Sequence, residues 1–270
     1  MPELPEIETI KNELSPWLRG QNFTQVIIFD PKIIFNAPVK EFCHQLIMQK
    51  VEKIDRRGKY LLFNLTSKQV LIMHLRMTGA LLLNPKRIDS YARAAFNFSN
   101  GIQVVFSDRR RLGILYLVQN ANTVVGKLGP EPLGENFTPI TLAKILKKHH
   151  IPVKAALIDQ NLIAGIGNMY ADEILFAARI NPLRKADVLS SQEIQTLHHC
   201  IHETLWPAIA DKGASVDTYT RPSGQFGTAQ FNFKVAHRYG ETCAICNTPL
   251  QRVSVRGRGS HFCPHCQPSA

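Results

Sequence analysis

Hydrophobic spacing changes period along the chain. In "LPEIETIKNELSPWL" the apolar positions Leu4, Ile7, Ile10 and Leu14 recur every three or four residues, which predicts a helix at the very start. Pro5 suits its first turn, and Pro16 is expected to help end it. From Gln21 to about Leu117 the pattern shortens. "VEKIDRRGKYLLFNL", "QVLIMHLRMTGALLL", "ARAAFNFSNGIQVVFSD" and "RLGILYLV" read as strands broken by Gly, Asn and Asp turns, with "SNG" as a hairpin turn. This predicts a mostly antiparallel β domain. The Gly/Pro-rich "KLGPEPLGENFTPIT" marks a boundary near residues 126–137. Helical spacing follows, opening with Thr138 as N-cap and Pro139 behind it. Further helical stretches are "IPVKAALIDQNLIAG", "NMYADEILFAARI" and a long one from about Ser190 to Ala210. Residues 213–240 are polar and glycine-bearing, so a long loop is expected, and residues 241–270 form a cysteine module. The organisation predicted is α+β and multidomain, divided as 1–130, 131–240 and 241–270.

Composition narrows the function classes. With 44% hydrophobic residues in 270, the chain can bury a proper core. The net charge of +11 favours a polyanionic partner, nucleic acid before anionic membrane. No run approaches the ~18 apolar residues of a membrane span, and no basic-then-apolar leader opens the chain. An intracellular, cytoplasmic protein is expected, and there six cysteines argue for metal rather than disulfides.

Four of those cysteines stand as Cys243-x2-Cys246 and Cys263-x2-Cys266, the spacing of a structural zinc site; iron is the alternative. Cys43 and Cys200 lie in apolar patterns and read as core thiols. The stretch between the knuckles carries Arg252, Arg256 and Arg258, which suits phosphate contact, or else a solvated turn. Upstream, "LIAGIGNMYADEILF" sets Gly165 and Gly167 before Asn168, a good N-cap. A helix start of this kind can hold a phosphate, although glycine corners are usually only structural.

The first residues have chemistry of their own. With Met1 removed, Pro2 would present a secondary amine, and α-amino groups have a pKa of about 7.7–8.0 against ~10.4 for lysine. Part of such an amine is neutral near pH 7 and can attack an electrophilic carbon. Glu3 and Glu6 follow, one helical turn apart. The alternative is that both only complement the helix dipole.

Taken together, "PELPEIE", "RRGKYLL", "MHLRMTG", "DRRRLG", "LGPEPL", "LIDQNLIAGIGNMYADEILF" and "GRGSHFCPHCQ" give the chain an end-to-end resemblance to the formamidopyrimidine-DNA glycosylase / endonuclease VIII family of bacterial base-excision repair enzymes. "RRGKYLL", "HLRMTG" and "LGPEPL" look like the formamidopyrimidine and 8-oxoguanine branch. The resemblance implies an N-terminal β-sandwich with flanking helices, a helix–two-turns–helix domain and a C-terminal β-hairpin zinc finger holding one structural Zn2+. It implies a monomer that binds double-stranded damaged DNA in the cleft between its halves, excises oxidised purines and cuts the strand by β,δ-elimination. On that pattern Pro2 is the Schiff-base nucleophile, Glu3 protonates the opening sugar ring, and Glu6 steadies the helix start. Lys59 is a second basic catalytic residue, and Arg258 grips the phosphates beside the lesion. Met77, Arg110 and Leu112 fill the stack left by the flipped base. Lys154 and Asn168 fall on phosphate-contacting positions. The segment 218–230 corresponds to the loop that closes over a flipped 8-oxoguanine.

Some residues depart from the family pattern. Arg109 and Leu112 replace a proline and a phenylalanine, and Tyr91 and Arg93 stand where histidines are usual. Arg93 is expected to keep a phosphate contact, and Tyr91 to keep one only through its hydroxyl. Ala236-His237 replaces Tyr-Gly. These changes leave two alternatives: a paralogue for oxidised pyrimidines or for alkylated or bulky lesions, and a damaged-DNA-binding protein without catalysis.

Overall fold

The computed structural model describes residues 1–269. Contacts group the chain into two compact units, residues 1–127 with 211–230, and residues 128–210 with 231–270. Residues 211–230, expected as part of a loop within the 131–240 division, thus group with the first unit.

The first unit opens with helix α1 (Leu4–Leu18), followed by β1 (Phe23–Ile28), α2 (Val39–Leu46), β2 (Val51–Arg57), β3 (Tyr60–Leu65) and β4 (Val70–His74). Then come β5 (Gly79–Leu83), β6 (Ala92–Phe98), β7 (Gln103–Asp108), β8 (Ile114–Val118) and the short α3 (Asn122–Val125). The strands form two antiparallel four-stranded sheets, ordered β1-β6-β7-β5 and β2-β3-β4-β8. Period-2 positions of both sheets meet in one core: Leu61, Phe63 and Leu65 with Leu71 and Met73, and Phe96 and Phe98 with Val104 and Phe106. That is the signature of sheets packed face to face. Ile7, Ile10, Leu14 and Leu18 of α1 and Phe42 and Leu46 of α2 enter the same cluster. The Ser99-Asn100-Gly101 hairpin forms between β6 and β7 as expected, with Gly101 at φ +79°.

Pro16 does not end α1. The helix runs two residues further because Leu18 is fully buried and Arg19 N–H donates to Ser15 O. The bond that proline cannot make would have gone to the carbonyl of Asn12, an exposed position where water can satisfy it. Helix α2 sits inside the stretch read as strands. It is only eight residues long, too short for periodicity to announce it.

The second unit holds α4 (Pro139–Leu146), α5 (Val153–Ile158), α6 (Asn168–Ala177), α7 (Ser191–Ala210) and the hairpin β9 (Gln251–Val255) with β10 (Arg258–Phe262). Thr138 caps α4 as its sequence suggests, accepting from Thr141 N–H at 3.2 Å. Helix α6 is the centre of this unit, buried from Tyr170 to Phe176. It carries two buried acids, Asp172 and Glu173. Glu173 accepts the N–H groups of Lys234, Val235 and Ala236 at 2.7–2.8 Å, fixing the chain as it enters the cysteine module. Burial pushes its carboxyl up, against three amides that hold it down.

Candidate active site

In the first unit the helix start is buried and tightly bonded. Pro2 is buried, Glu3 is 2% exposed and Glu6 is fully buried. Glu6 Oε2 accepts Glu3 N–H at 2.7 Å, the reach-back half of a capping box. Its other oxygen accepts Ala214 N–H at 2.8 Å, 208 residues on. Gly213 makes that approach possible: its φ is +78°, and a Cβ there would lie 2.8 Å from Glu6 Oε1. Glu6 therefore joins the first helical turn to the base of the 211–230 loop, a role beyond complementing the dipole.

Lys59 lies in the two-residue turn between β2 and β3, beside Gly58 at φ +55°, and is 5% exposed. Arg56, which reads as a surface charge in the sequence, fixes this turn. Its Nε donates to Glu8 Oε2 at 2.7 Å, and Nη1 donates to Gly58 O at 3.0 Å. The β2–β3 turn is thus bonded to α1. Burial alone would raise the Glu8 carboxyl, but hydrogen bonds from Lys11 and Arg56 hold it below the usual range.

His74, at the end of β4, is a residue the sequence did not single out. Its Nδ1 accepts Arg76 N–H at 3.0 Å and its ring lies edge-on to Tyr60 at 4.4 Å. Burial, with Arg76 and Lys59 nearby, pushes its pKa down to about 3. The imidazole is therefore neutral, and below its ordinary 6.5 the unfolded chain takes up a proton that the folded chain refuses. Stability should fall as pH drops from 6.5 toward 3, by about 1–2 kcal/mol between pH 7 and pH 5. Urea unfolding at both pH values checks this. His74→Asn, whose Oδ1 can accept the same N–H, should show a flatter pH dependence.

The residues expected to fill the stack sit on two adjoining turns. Met77 is half-buried in the β4–β5 turn; Arg110 and Leu112 are exposed in the β7–β8 turn, Leu112 by 41%. Asp108, fully buried, organises both. It accepts N–H from Arg110 at 3.1 Å and from Leu112 and Gly113 at 2.7 Å, and it takes the hydroxyl of Thr78, next to Met77. Only the motif "DRRRLG" hinted at this acid. Arg93 differs from expectation. It is 6% exposed, and its Nε and Nη1 donate to the carbonyls of Asp108, Ser90 and Ala92, so it braces this turn from behind rather than standing open to a phosphate. Tyr91 does stay exposed, with the Arg109 guanidinium 5.6 Å from its ring centre.

In the second unit Asn168 and Lys154, both expected at phosphate-contacting positions, bond to β10, and the N-cap reading of Asn168 needs correction. Asn168 is not the N-cap of α6 but its first helical residue, behind Gly167. Its Nδ2 is drawn instead to Gly259 O at 2.9 Å. Lys154 is not on the surface. It is fully buried, paired with Asp172 at 2.6 Å, and it donates to the same Gly259 carbonyl at 3.1 Å. Asp172 Oδ2 in turn accepts His261 N–H at 2.9 Å. Lys154, Asn168 and Asp172 thus hold β10 on either side of Ser260. The adjacent Arg258 is exposed beside a tight Arg256-Gly257 turn with both φ positive, the geometry of a two-residue hairpin.

Cys243, Cys246, Cys263 and Cys266 bring their sulfurs within 4.8 Å of one another. Closest separations are 3.4 Å (Cys246–Cys263), 3.5 Å (Cys246–Cys266) and 3.9 Å (Cys243–Cys266). A tetrahedral ion with Zn–S bonds of ~2.3 Å sets sulfurs ~3.8 Å apart, so the four fit one zinc. Burial and the neighbouring sulfurs push Cys266 up to about 12. A divalent cation at the centre reverses that and favours thiolates. The ion is structural: four protein ligands leave no open position for substrate.

Family models match the chain almost throughout: the formamidopyrimidine-DNA glycosylase N-terminal domain over residues 1–115, its H2TH domain over 128–220, and a zinc finger found in FPG and IleRS over 240–268. A formamidopyrimidine-DNA glycosylase of Listeria innocua is 39% identical, covering 99% of this chain and 100% of that protein. One from Chloroflexus aurantiacus is 40% identical, covering 99% and 98%. Among solved structures, the MutM (FPG) protein from Thermus thermophilus superposes with a TM-score of 0.91 at 38% identity, covering 100% of both chains. A mutant Lactococcus lactis FPG in complex with a Fapy-dG containing DNA gives 0.92 at 33% identity, covering 99% of this chain and 100% of that one.

Proposed function

The chain belongs to the formamidopyrimidine-DNA glycosylase family, and from that premise we propose how its own residues carry out base excision. It is a base-excision-repair DNA glycosylase of the glycosylase/AP lyase type. The substrate proposed is double-stranded DNA carrying an oxidised purine, bound by a monomer in the bacterial cytoplasm. The net charge of +11 supports a polyanionic partner. No helix among the described residues is long and apolar enough to cross a membrane.

With Met1 removed, the neutral Pro2 nitrogen attacks C1′ of the lesion sugar; the bond from C1′ to the base breaks, its electron pair leaving with the base, and the proton released by the nitrogen passes to Glu3. Glu3 gives a proton to the ring oxygen as the C1′–O4′ bond opens, leaving an iminium between Pro2 and C1′. The positive iminium acidifies the C2′ proton. Its loss expels the 3′ phosphate, and a second elimination expels the 5′ phosphate. Lys59 serves as a proton donor near the scissile sugar, and Arg258 neutralises the departing phosphates. Met77, Arg110 and Leu112 occupy the space of the extruded nucleotide, and residues 218–230 of the 211–230 loop cover the base. Lys154 and Asn168 act at one remove by fixing the strand that bears Arg258. Arg93 does the same for the β7–β8 turn, while Tyr91 is left as an exposed contact.

The observation that carries this reading is the buried, doubly bonded helix start. A chain terminus ordinarily frays, but this one is held by Glu6 to Glu3 and to Ala214. Single-turnover excision from duplexes with 8-oxoguanine, formamidopyrimidine or thymine glycol tests the substrate. The expected result is a rate on the two purine lesions roughly tenfold or more above thymine glycol, a preference within reach of pocket contacts worth about 1–3 kcal/mol. The reverse order would favour a pyrimidine-lesion enzyme, and no excision with intact binding a protein without catalysis.

A further inference from the structure

The segment 211–230 is a closed loop with two separate anchors on α1. Its ends pair with each other: Thr228 N–H donates to Asp211 O at 2.9 Å and Ala229 N–H to Gly213 O at 3.0 Å. The first anchor is at the base, where Glu6 takes Ala214 N–H. The second is at the tip. Arg221 reaches Glu13, and both Nε and Nη2 lie 2.6 Å from the same carboxylate oxygen. Each side chain is only 20% exposed, so the pair is partly shielded from solvent. Glu6 and Glu13 are seven residues apart, two helical turns on one face and roughly 10 Å along the axis.

Arg221 also organises the tip. Its N–H donates to Gln225 O, and its carbonyl accepts Gly224 N–H, both at 2.9 Å. Its Nη1 donates to Gln225 Oε1 at 3.1 Å. Gly224, at φ +81°, lets the chain reverse there. A further tie joins this turn to the β domain, from Leu83 N–H to Pro222 O at 2.8 Å. The base of the loop is therefore held by main-chain bonds and a fully buried acid. The tip is held by a strand-edge hydrogen bond and an ion pair, the weaker and more salt-sensitive end.

We propose that the Glu13–Arg221 ion pair is a latch for the tip of the 211–230 loop, which makes both residues positioning residues for base excision. The proposal rests on the reading above that this loop covers the extruded base. Helix α1 then does two things at once: its first turn presents Pro2, and its third turn holds down the cover. Neither Glu13 nor Arg221 touches the reacting sugar. Breaking the latch should slow the step that needs the base held and leave cutting at a site that has already lost its base.

Three variants of the full-length zinc-loaded protein test this: Glu13→Gln, Arg221→Gln and the exchange Glu13→Arg with Arg221→Glu. Hydrogen exchange on the free protein reads the loop directly. Both single variants should exchange roughly threefold to fivefold faster across residues 219–226, with α7 unchanged. Single-turnover excision from an 8-oxoguanine duplex should fall by a similar factor, cleavage at a preformed abasic site should stay within about twofold, and the exchanged pair should return both readouts toward wild type. Unchanged exchange at 219–226 in both single variants would overturn the latch, and so would an equal fall in excision and abasic cleavage. If the wild type itself excises no oxidised purine, the functional reading fails, while the exchange measurement still decides whether the ion pair holds the loop.

Discussion

Replacing Pro2 with glycine, in protein whose Met1 is confirmed absent, is expected to slow coupled base excision and strand cutting by ~100-fold or more, about 2.7 kcal/mol of barrier. Glycine keeps an α-amine of similar basicity, so this is not simply the removal of a nucleophile. A secondary amine forms an iminium with no N–H, which stays charged at every pH and keeps the C2′ proton acidic. A primary amine forms an imine that can lose its proton and its charge. Glycine also loosens the backbone entering a helix start that Glu6 holds through Glu3 N–H. Binding to a duplex with a stable abasic-site analogue should change only a few-fold, because the residues proposed to meet phosphates are others. Single-turnover kinetics and fluorescence anisotropy on the same preparations separate the two effects.

The second large effect is expected from Cys263→Ser. Cys263 is fully buried, and it packs with Phe176, Val235, Cys243 and Leu250 as well as facing the other sulfurs. Its loss should take zinc from one ion per chain to none and release β9–β10 from its foundation. The ties from Lys154, Asn168 and Asp172 are made to Gly259 and His261 in β10, and they do not replace the metal. Arg258 would then no longer be held at a fixed place, and affinity for the abasic-analogue duplex should fall ~100-fold with a shallower salt dependence. Elemental analysis and anisotropy titrations at two salt concentrations check both halves. Tight binding by zinc-free protein would contradict this role for the module.

What was legible in the sequence follows from locality. The 3.6-residue spacing of Leu4, Ile7, Ile10 and Leu14, the alternating strands and the Cys-x2-Cys pairs each express a contact among near neighbours, and all three appear in the structure. Met77, Arg110 and Leu112 fall in the short connections β4–β5 and β7–β8, where the Gly and Asp of their motifs already marked turns. Burial was not legible. Lys154, Arg93 and Arg56 look like open cations in the sequence. Each is taken up by a partner distant in the chain or by carbonyls of a folded turn: Lys154 by Asp172, Arg93 by Asp108 O, and Arg56 by Glu8. Pairing of this kind is what allows a charged side chain to be buried at all. Assignment of 211–230 to the first unit was equally hidden, since it depends on Glu6 meeting Ala214 and Glu13 meeting Arg221, each across 208 residues. Two acids, Asp108 of the β7–β8 turn and Asp172 behind β10, lie inside recognised motifs, but only their hydrogen bonds show what each holds.

Residue 2 is proposed as the nucleophile, and borohydride trapping tests that role most directly. Wild-type protein, with its N-terminus checked by mass spectrometry, is mixed with a duplex containing 8-oxoguanine in the presence of sodium borohydride, then digested and sequenced by tandem mass spectrometry. The expected product is a reduced, covalent protein–DNA adduct on the nitrogen of Pro2 at the start of the mature chain. Strand cutting with the adduct on Lys59 or another lysine, or with no adduct from a chain that begins at Pro2, would contradict it.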